Sequence, residues 1–310
     1  MIFRIEASFM ANVTREQLSD ICCAMIQGRQ YVDCNSDIQK EITRAIDEHG
    51  SSSQKELFRK FRGFDITSEL RHFLTVYSLD QDTSLAELNI ILQKPSRVLV
   101  ENGPFEWEVY KRIIGTYKSD RQFKNLFLLL EQAKHRGMLE HLHGGGYTTY
   151  PSLLQNLDNG EYKHVSRYKI CILFDRDTDG AHLFDIQKNT LFQFLCGKKS
   201  TEMTEDDIYV LSQSTYIWHM WYKRTIENYF PDKQYSALGI DVSHFPASNG
   251  ARDYFKIDKD SANGYDKNKL SKLAEKMSRN DYEGNLKRFV VDGQQVSEIQ
   301  LLLLKMVKII

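Results

Sequence analysis

An α/β fold, with a parallel sheet at its centre and helical flanks, follows from three observations on the sequence. Short apolar runs bounded by turn residues, such as Arg97–Val100 and Ile170–Phe174, fit strands buried on both faces of a parallel sheet. From about residue 96 to 235 such runs alternate with helical patterns, as crossover connections require. Outside that interval apolar residues recur mostly at helical spacing. The chain therefore divides into a mostly helical N-terminal region (1–94), an α/β domain (95–235) and a mixed, largely helical C-terminal region (236–310).

Each element has a local reason. Thr14 and Gln17 form a capping-box pattern ahead of Leu18, Ile21, Cys22, Met25 and Ile26. A second helical pattern through Ile38, Ile42 and Ile46 stops at Gly50 and a serine run. Lys55–Arg62 is basic and reads as a solvated helix face. Leu70–Leu79 reads as a strand, and a helix through Leu85, Leu88, Ile91 and Leu92 ends at Pro95. The strand Arg97–Val100 runs into Glu101-Asn-Gly-Pro, and a helix bearing Phe105, Val109 and Ile113 follows. The next helix opens at Ser119-Asp120 and closes at Gly137, where a strand, Met138–His143, begins and Gly144–Gly146 ends it. A helix entered at Pro151 leads to the strand Ile170–Phe174. After Gly180 the pattern predicts a helix burying Leu183, Ile186, Leu191 and Phe194, then a strand at Asp207–Ser212 and a helical segment over Tyr222–Pro231. Lys267–Arg288 is charged and helical in pattern, and Glu298–Ile310 reads as a packed helix.

Bulk properties exclude several classes. A net charge of −1 does not announce a nucleic-acid binder, although a basic patch balancing an acidic site gives the same total. No apolar run approaches the length of a membrane span, and the first residues lack the apolar core of a signal peptide. The five cysteines form no CxxC pair and fit reduced thiols, so a cytoplasmic protein without structural zinc is expected.

The chemistry concentrates at Tyr168–Gly180, where an apolar strand ends in Asp175, Asp177 and Asp179. Ligands gather at the carboxyl ends of parallel strands, and acids this close together call for a hard cation such as Mg2+. A calcium loop of the EF-hand type starts similarly, but it needs a glutamate where Ile186 stands and a helix where the strand lies. A haloacid-dehalogenase-like phosphatase also places Asp-x-Asp after a strand, with Thr or Val where Asp179 stands here. A metal site completed by acids from other strands is the third reading. Glu101 closes a neighbouring strand, and Glu227 follows the next one.

Val98-Leu-Val-Glu101 with Gly103, the glycine turn at 144–146, Asp175-Arg-Asp177 and Thr225-Ile-Glu-Asn-Tyr229, in that order, resemble the Toprim domain of topoisomerases, bacterial primases and overcoming-lysogenization-defect nucleases, the nuclease branch in particular. The resemblance implies a Toprim-like, Rossmann-like core over roughly 96–235. It also implies a Mg2+-dependent nuclease, Mn2+ substituting, that cuts DNA or RNA. Asp175 and Asp177 would hold metal, Glu101 would handle a proton or a metal, and Glu227 would complete a second position. The family's Glu-Gly-x-x-Asp loop is altered: Asn102 is inserted before Gly103, and Glu106 stands for the aspartate as a candidate metal ligand. No Gly-x-x-x-x-Gly-Lys-Ser/Thr loop is present, so a stand-alone anti-phage effector with a separate ATPase partner is the closest kind, and a homodimer stays open. The alternative is a non-catalytic Toprim-fold module that binds the ATPase.

Competing readings weigh on single residues. Asp179 suits a helix cap better than a metal. Glu101 could cap the following helix, and Glu227 could be a surface glutamate. His141 and His143 suggest a metal or a base, although histidines at loop edges commonly have no such role. Lys198-Lys199 and Lys223-Arg224 could stabilise a phosphoryl transition state. Trp218 and Trp221 could stack bases, with core packing as the default.

Overall fold

A three-stranded parallel sheet opens the chain, in a region where the sequence pattern shows mainly helices. In this computed structural model, which describes residues 1–310 apart from Ser214, Gly284, Asn285 and the Glu69 side chain, β1 (Ile2–Ile5) pairs with β2 (Tyr31–Asp33) and β3 (Val76–Leu79) in the order β2-β1-β3. Helix still accounts for most of this region. Thr14 caps the helix Arg15–Gln27 with the expected capping box. Asn35 caps Ser36–His49, which buries Ile38, Ile42 and Ile46. The basic helix Ser52–Arg59 buries none of its residues and is a solvated face.

The second sheet is the α/β core. β4 (Ser96–Val100), β5 (Leu139–His143), β6 (Ile170–Phe174) and β7 (Ile217–Met220) are all parallel, in the order β5-β4-β6-β7. β6 is buried at every position, because it lies inside the sheet and both faces are covered. Side chains alternate along β7, and they show what covers each face. Trp218 meets the Phe192 ring of the helix Asn189–Cys196 at 5.6 Å. Its neighbour His219 lies 3.5 Å from Glu298 of the helix Glu298–Val307. Trp218 and Trp221 are both core residues and offer no face to a nucleobase.

Several expected elements move. Thr204 and Asp207 form a capping box around the short helix Glu205–Ile208, so the strand expected at Asp207–Ser212 does not form; β7 lies further on, in Ile217–Met220. Residues 180–185 are irregular and the regular helix begins only at Asn189, which leaves Ile186 68% exposed. Asp179 caps no helix. Its side chain accepts from the Ala181 amide within the loop. Tyr222–Pro231 contains one 3₁₀ turn, Ile226–Tyr229, rather than a helix. An antiparallel hairpin, β8 (Arg288–Val291) with β9 (Gln294–Ser297), turns at Asp292-Gly293.

The helix Glu298–Val307 is buried along its whole length and packs on β7 and on the helix Lys124–His135. The central core thus includes C-terminal residues as well as 95–235. Leu303 is fully buried there, so Leu303→Ala is expected to lower unfolding stability by about 3 kcal/mol in chemical denaturation. Among the described residues no helix is long and apolar enough to cross a membrane.

Candidate active site

The aspartate loop and the loop after β7 are tied together by backbone. Arg176 and Asp177 both donate their amides to the Arg224 carbonyl, each at 2.9 Å. The Ile226 amide donates to Asp175 Oδ1 at 3.1 Å. This fixes the turn Ile226–Tyr229, and with it Glu227, against the carboxyl end of β6. Glu101 leaves β4 at the same edge, since Leu99 pairs with Ile172. Gly103 follows at φ 54°, a conformation an L residue rarely adopts, and a Cβ there would stand 3.1 Å from His143 Nδ1. That turn starts the helix Pro104–Tyr117, whose first turn carries Glu106 inward; Glu106 is buried.

Four of the five sequence-predicted acids therefore share one neighbourhood: Glu101, Glu106, Asp175 and Glu227. Burial pushes the Asp175 carboxyl well above the usual carboxylate range, and the charges of Glu101, Glu106 and Glu227 push it further. Burial also raises Glu106, against a hydrogen bond from Asn102 Nδ2 at 2.5 Å. Glu101 is pushed up to about 7, by burial first and then by Asp177 and Glu106, against the pull of Lys188 and Lys267. Glu227 differs. Burial raises it, but the Lys267 ammonium and the Tyr265 hydroxyl outweigh burial and hold it below its ordinary value.

Two lysines absent from the sequence reading neutralise the cluster. Lys267 Nζ lies 3.0 Å from Glu227 Oε1, which also accepts from the Tyr265 hydroxyl at 2.8 Å. The fully buried Lys188 places Nζ 2.7 Å from Asp177 Oδ2, 3.8 Å from Glu101 Oε1 and 3.8 Å from the centre of the Tyr147 ring. Asp177, at φ 56°, is turned toward Lys188, through which it is linked to Glu101. Neither lysine carries a spacing signal in the sequence. One comes from beyond the aspartate loop and the other from the C-terminal region.

The remaining candidates lie elsewhere. Lys198 pairs with Asp207, Lys223 is buried against Asp253, and Arg224 donates to the Thr178 and Tyr254 carbonyls. His141 stacks on Trp107. The glycine turn is pressed onto Tyr150: a Cβ on Gly144 would fall 2.1 Å from the Tyr150 ring, so close packing accounts for that glycine.

Hard carboxylate oxygens are the right donors for Mg2+ or Mn2+. Two buried oxygens here, Glu101 Oε1 and Glu227 Oε2, accept no hydrogen bond. Among the described residues, however, no three acid, histidine or cysteine side chains gather tightly enough to share one ion. The donor chemistry fits a cation, while Asp177 and Glu227 are each engaged by a lysine. No family model, curated protein or solved structure matches this chain.

The raised Glu101 value gives a testable pH dependence. A carboxyl whose folded value lies above its ordinary 4.5 contributes stability below that value and loses it as pH rises through about 7. Glu101→Gln is therefore expected to flatten the fall in Tm between pH 5.5 and 8.5, with up to ~3 kcal/mol regained at the alkaline end. Parallel melting curves for the two proteins across this range would contradict it.

Proposed function

We propose that the chain is a metal-dependent phosphodiesterase of the Toprim type that cuts DNA or RNA and works with a separate ATPase partner. One observation carries this reading. Acids from the loop after β4, the helix behind it, the loop after β6 and the turn after β7 meet at one sheet edge. There burial and mutual repulsion raise three of them, and two oxygens of the set, Glu101 Oε1 and Glu227 Oε2, accept no hydrogen bond. Such an arrangement costs folding stability and calls for a functional return.

Asp175, Glu106 and Glu227 are the residues that would hold Mg2+ or Mn2+ in this reading. Bound metal supplies charge stabilisation at the oxygens of the scissile phosphate. Glu101, with a value near 7, is suited to take a proton from an attacking water and to return it to the leaving oxygen. The Lys188 ammonium beside Glu101 is placed to offset negative charge arriving with the phosphate.

The deciding assay is cleavage of supercoiled plasmid and of bulk tRNA with Mg2+ or Mn2+, with and without EDTA. Chelator-sensitive cutting of either substrate supports the proposal and identifies the nucleic acid. The neutralisation of Asp177 and Glu227 by lysines favours a second reading, a non-catalytic Toprim-fold module docked on the ATPase. An uncut substrate, together with melting temperatures indifferent to both metals, would select it.

A further inference from the structure

A second site lies at the other end of the central sheet. A cavity of about 480 Å3 opens between the N-terminal region and that sheet. Its floor includes Ser96 at the start of β4, Met138 just before β5 and Lys169 just before β6. Asp175 leaves the opposite end of β6, roughly 20 Å away at the rise of a strand. The acid cluster and the cavity are therefore separate places.

The charge of the wall is one-sided. Arg29, Arg136 and Lys169 all line it, and neither aspartate nor glutamate does. Among the described residues none of the three is paired with a carboxylate. Arg29, in a left-handed backbone conformation (φ 56°), donates to the neutral Gln132 amide. The buried Lys169 ammonium donates to the Ile91 carbonyl at 3.1 Å and retains two further protons to give. Burial alone, with no acid opposing it, brings Lys169 down to about 7. The α-ammonium of Met1 and the carboxyl end of Ile310 also line the wall and meet each other, so the buried Lys169 ammonium and the two guanidinium groups remain an excess of positive charge around one void.

The rest of the wall has a different character. Ile91, Leu129 and Met138 give an apolar surface, and the Gln93 and Gln132 amides offer both donors and acceptors. This combination suits a planar heterocycle with polar edges, and the cations suit a phosphate held by forked donors. The volume is in the range of small-molecule sites and far exceeds what a bare phosphate fills.

We propose that this cavity binds a phosphate-bearing small molecule of mononucleotide size. The phosphate lies against Arg29, Arg136 and Lys169, and the body packs on the apolar wall with its edges on the glutamine amides. The residues that hold it come from the N-terminal region, the helix Lys124–His135 and the edge of the central sheet. A bound ligand therefore clamps the first sheet onto the second.

The test is calorimetric titration and thermal melting of the full chain with adenosine and guanosine 5′-monophosphate, inorganic phosphate and adenosine. At least one nucleotide is expected to bind and to raise Tm, with adenosine and inorganic phosphate each at least tenfold weaker. Arg29 and Arg136 are exposed at the rim, so Arg29→Ala/Arg136→Ala should fold normally and weaken nucleotide binding by at least thirtyfold. Asp175→Asn should bind like the wild type, which separates this site from the acid cluster whatever the fate of the nuclease proposal. No binding of either nucleotide at millimolar concentration would overturn the inference. So would binding that the double variant leaves intact, or inorganic phosphate binding as tightly as the nucleotides.

Discussion

On the proposed nuclease reading, Asp175→Ala is expected to reduce metal-dependent cleavage by about 10^3-fold, the loss typical when one principal charged group leaves a preorganised site. Its carboxylate is the most central of the cluster, pressed by Glu101, Glu106 and Glu227 together. The alanine also removes the acceptor of the Ile226 amide, which costs about 1–3 kcal/mol in a buried place. Asp175→Asn preserves an acceptor oxygen while deleting the charge, so it should lose cleavage equally and keep its melting temperature or gain. A fully active Asp175→Asn protein, measured against plasmid and tRNA, would remove Asp175 from the chemistry.

Lys267→Met should produce the largest stability change at the site. It strands the Glu227 carboxyl, which is 1% exposed, without its counter-ion and with the Tyr265 hydroxyl as its remaining side-chain donor among the described residues. Breaking a buried ion pair from one side costs about 3–5 kcal/mol, and the partial exposure of Lys267 places this case near the lower figure. The loss deepens as pH rises, because the carboxyl, no longer held down by the ammonium, resists ionising while the unfolded chain ionises freely. If these acids also accept a divalent ion, millimolar Mg2+ or Mn2+ should restore more Tm to Lys267→Met than to the wild type. Equal responses of the two proteins would mean that Lys267 and a metal do not compete for the same oxygens.

The legible parts of the molecule are those whose signal is local. β6 is visible because burial on both faces leaves an unbroken apolar run, β4 because Val98–Val100 is a shorter one, and Glu101 and Asp175 are visible because an acid ends each run. Glu106 was reachable through the altered loop that precedes it. β1 and β2 were missed because four and three residues are too few to show a period. The hairpin β8–β9 did carry a usable signal, the Asp292-Gly293 dipeptide between two short runs. Asp207–Ser212 misled because its apolar residues look like a strand, whereas the Thr204 cap decides the outcome. Lys188, Tyr265 and Lys267 reach the site through tertiary packing alone, and no spacing in the chain announces them.

The buried helix Glu298–Val307 also dictates a sequence of events in time. Gln300 donates to Asp120 Oδ2 at 3.0 Å across 180 positions, and Lys305 donates to the Ile208 and Trp218 carbonyls. Contacts this remote close late and slow the search for the native state. During synthesis, the side of β7 that carries His219 and the side of the helix Lys124–His135 that packs on the last helix stay uncovered until residues 298–307 emerge. That interval is when the nascent chain is most prone to aggregate and most in need of a chaperone.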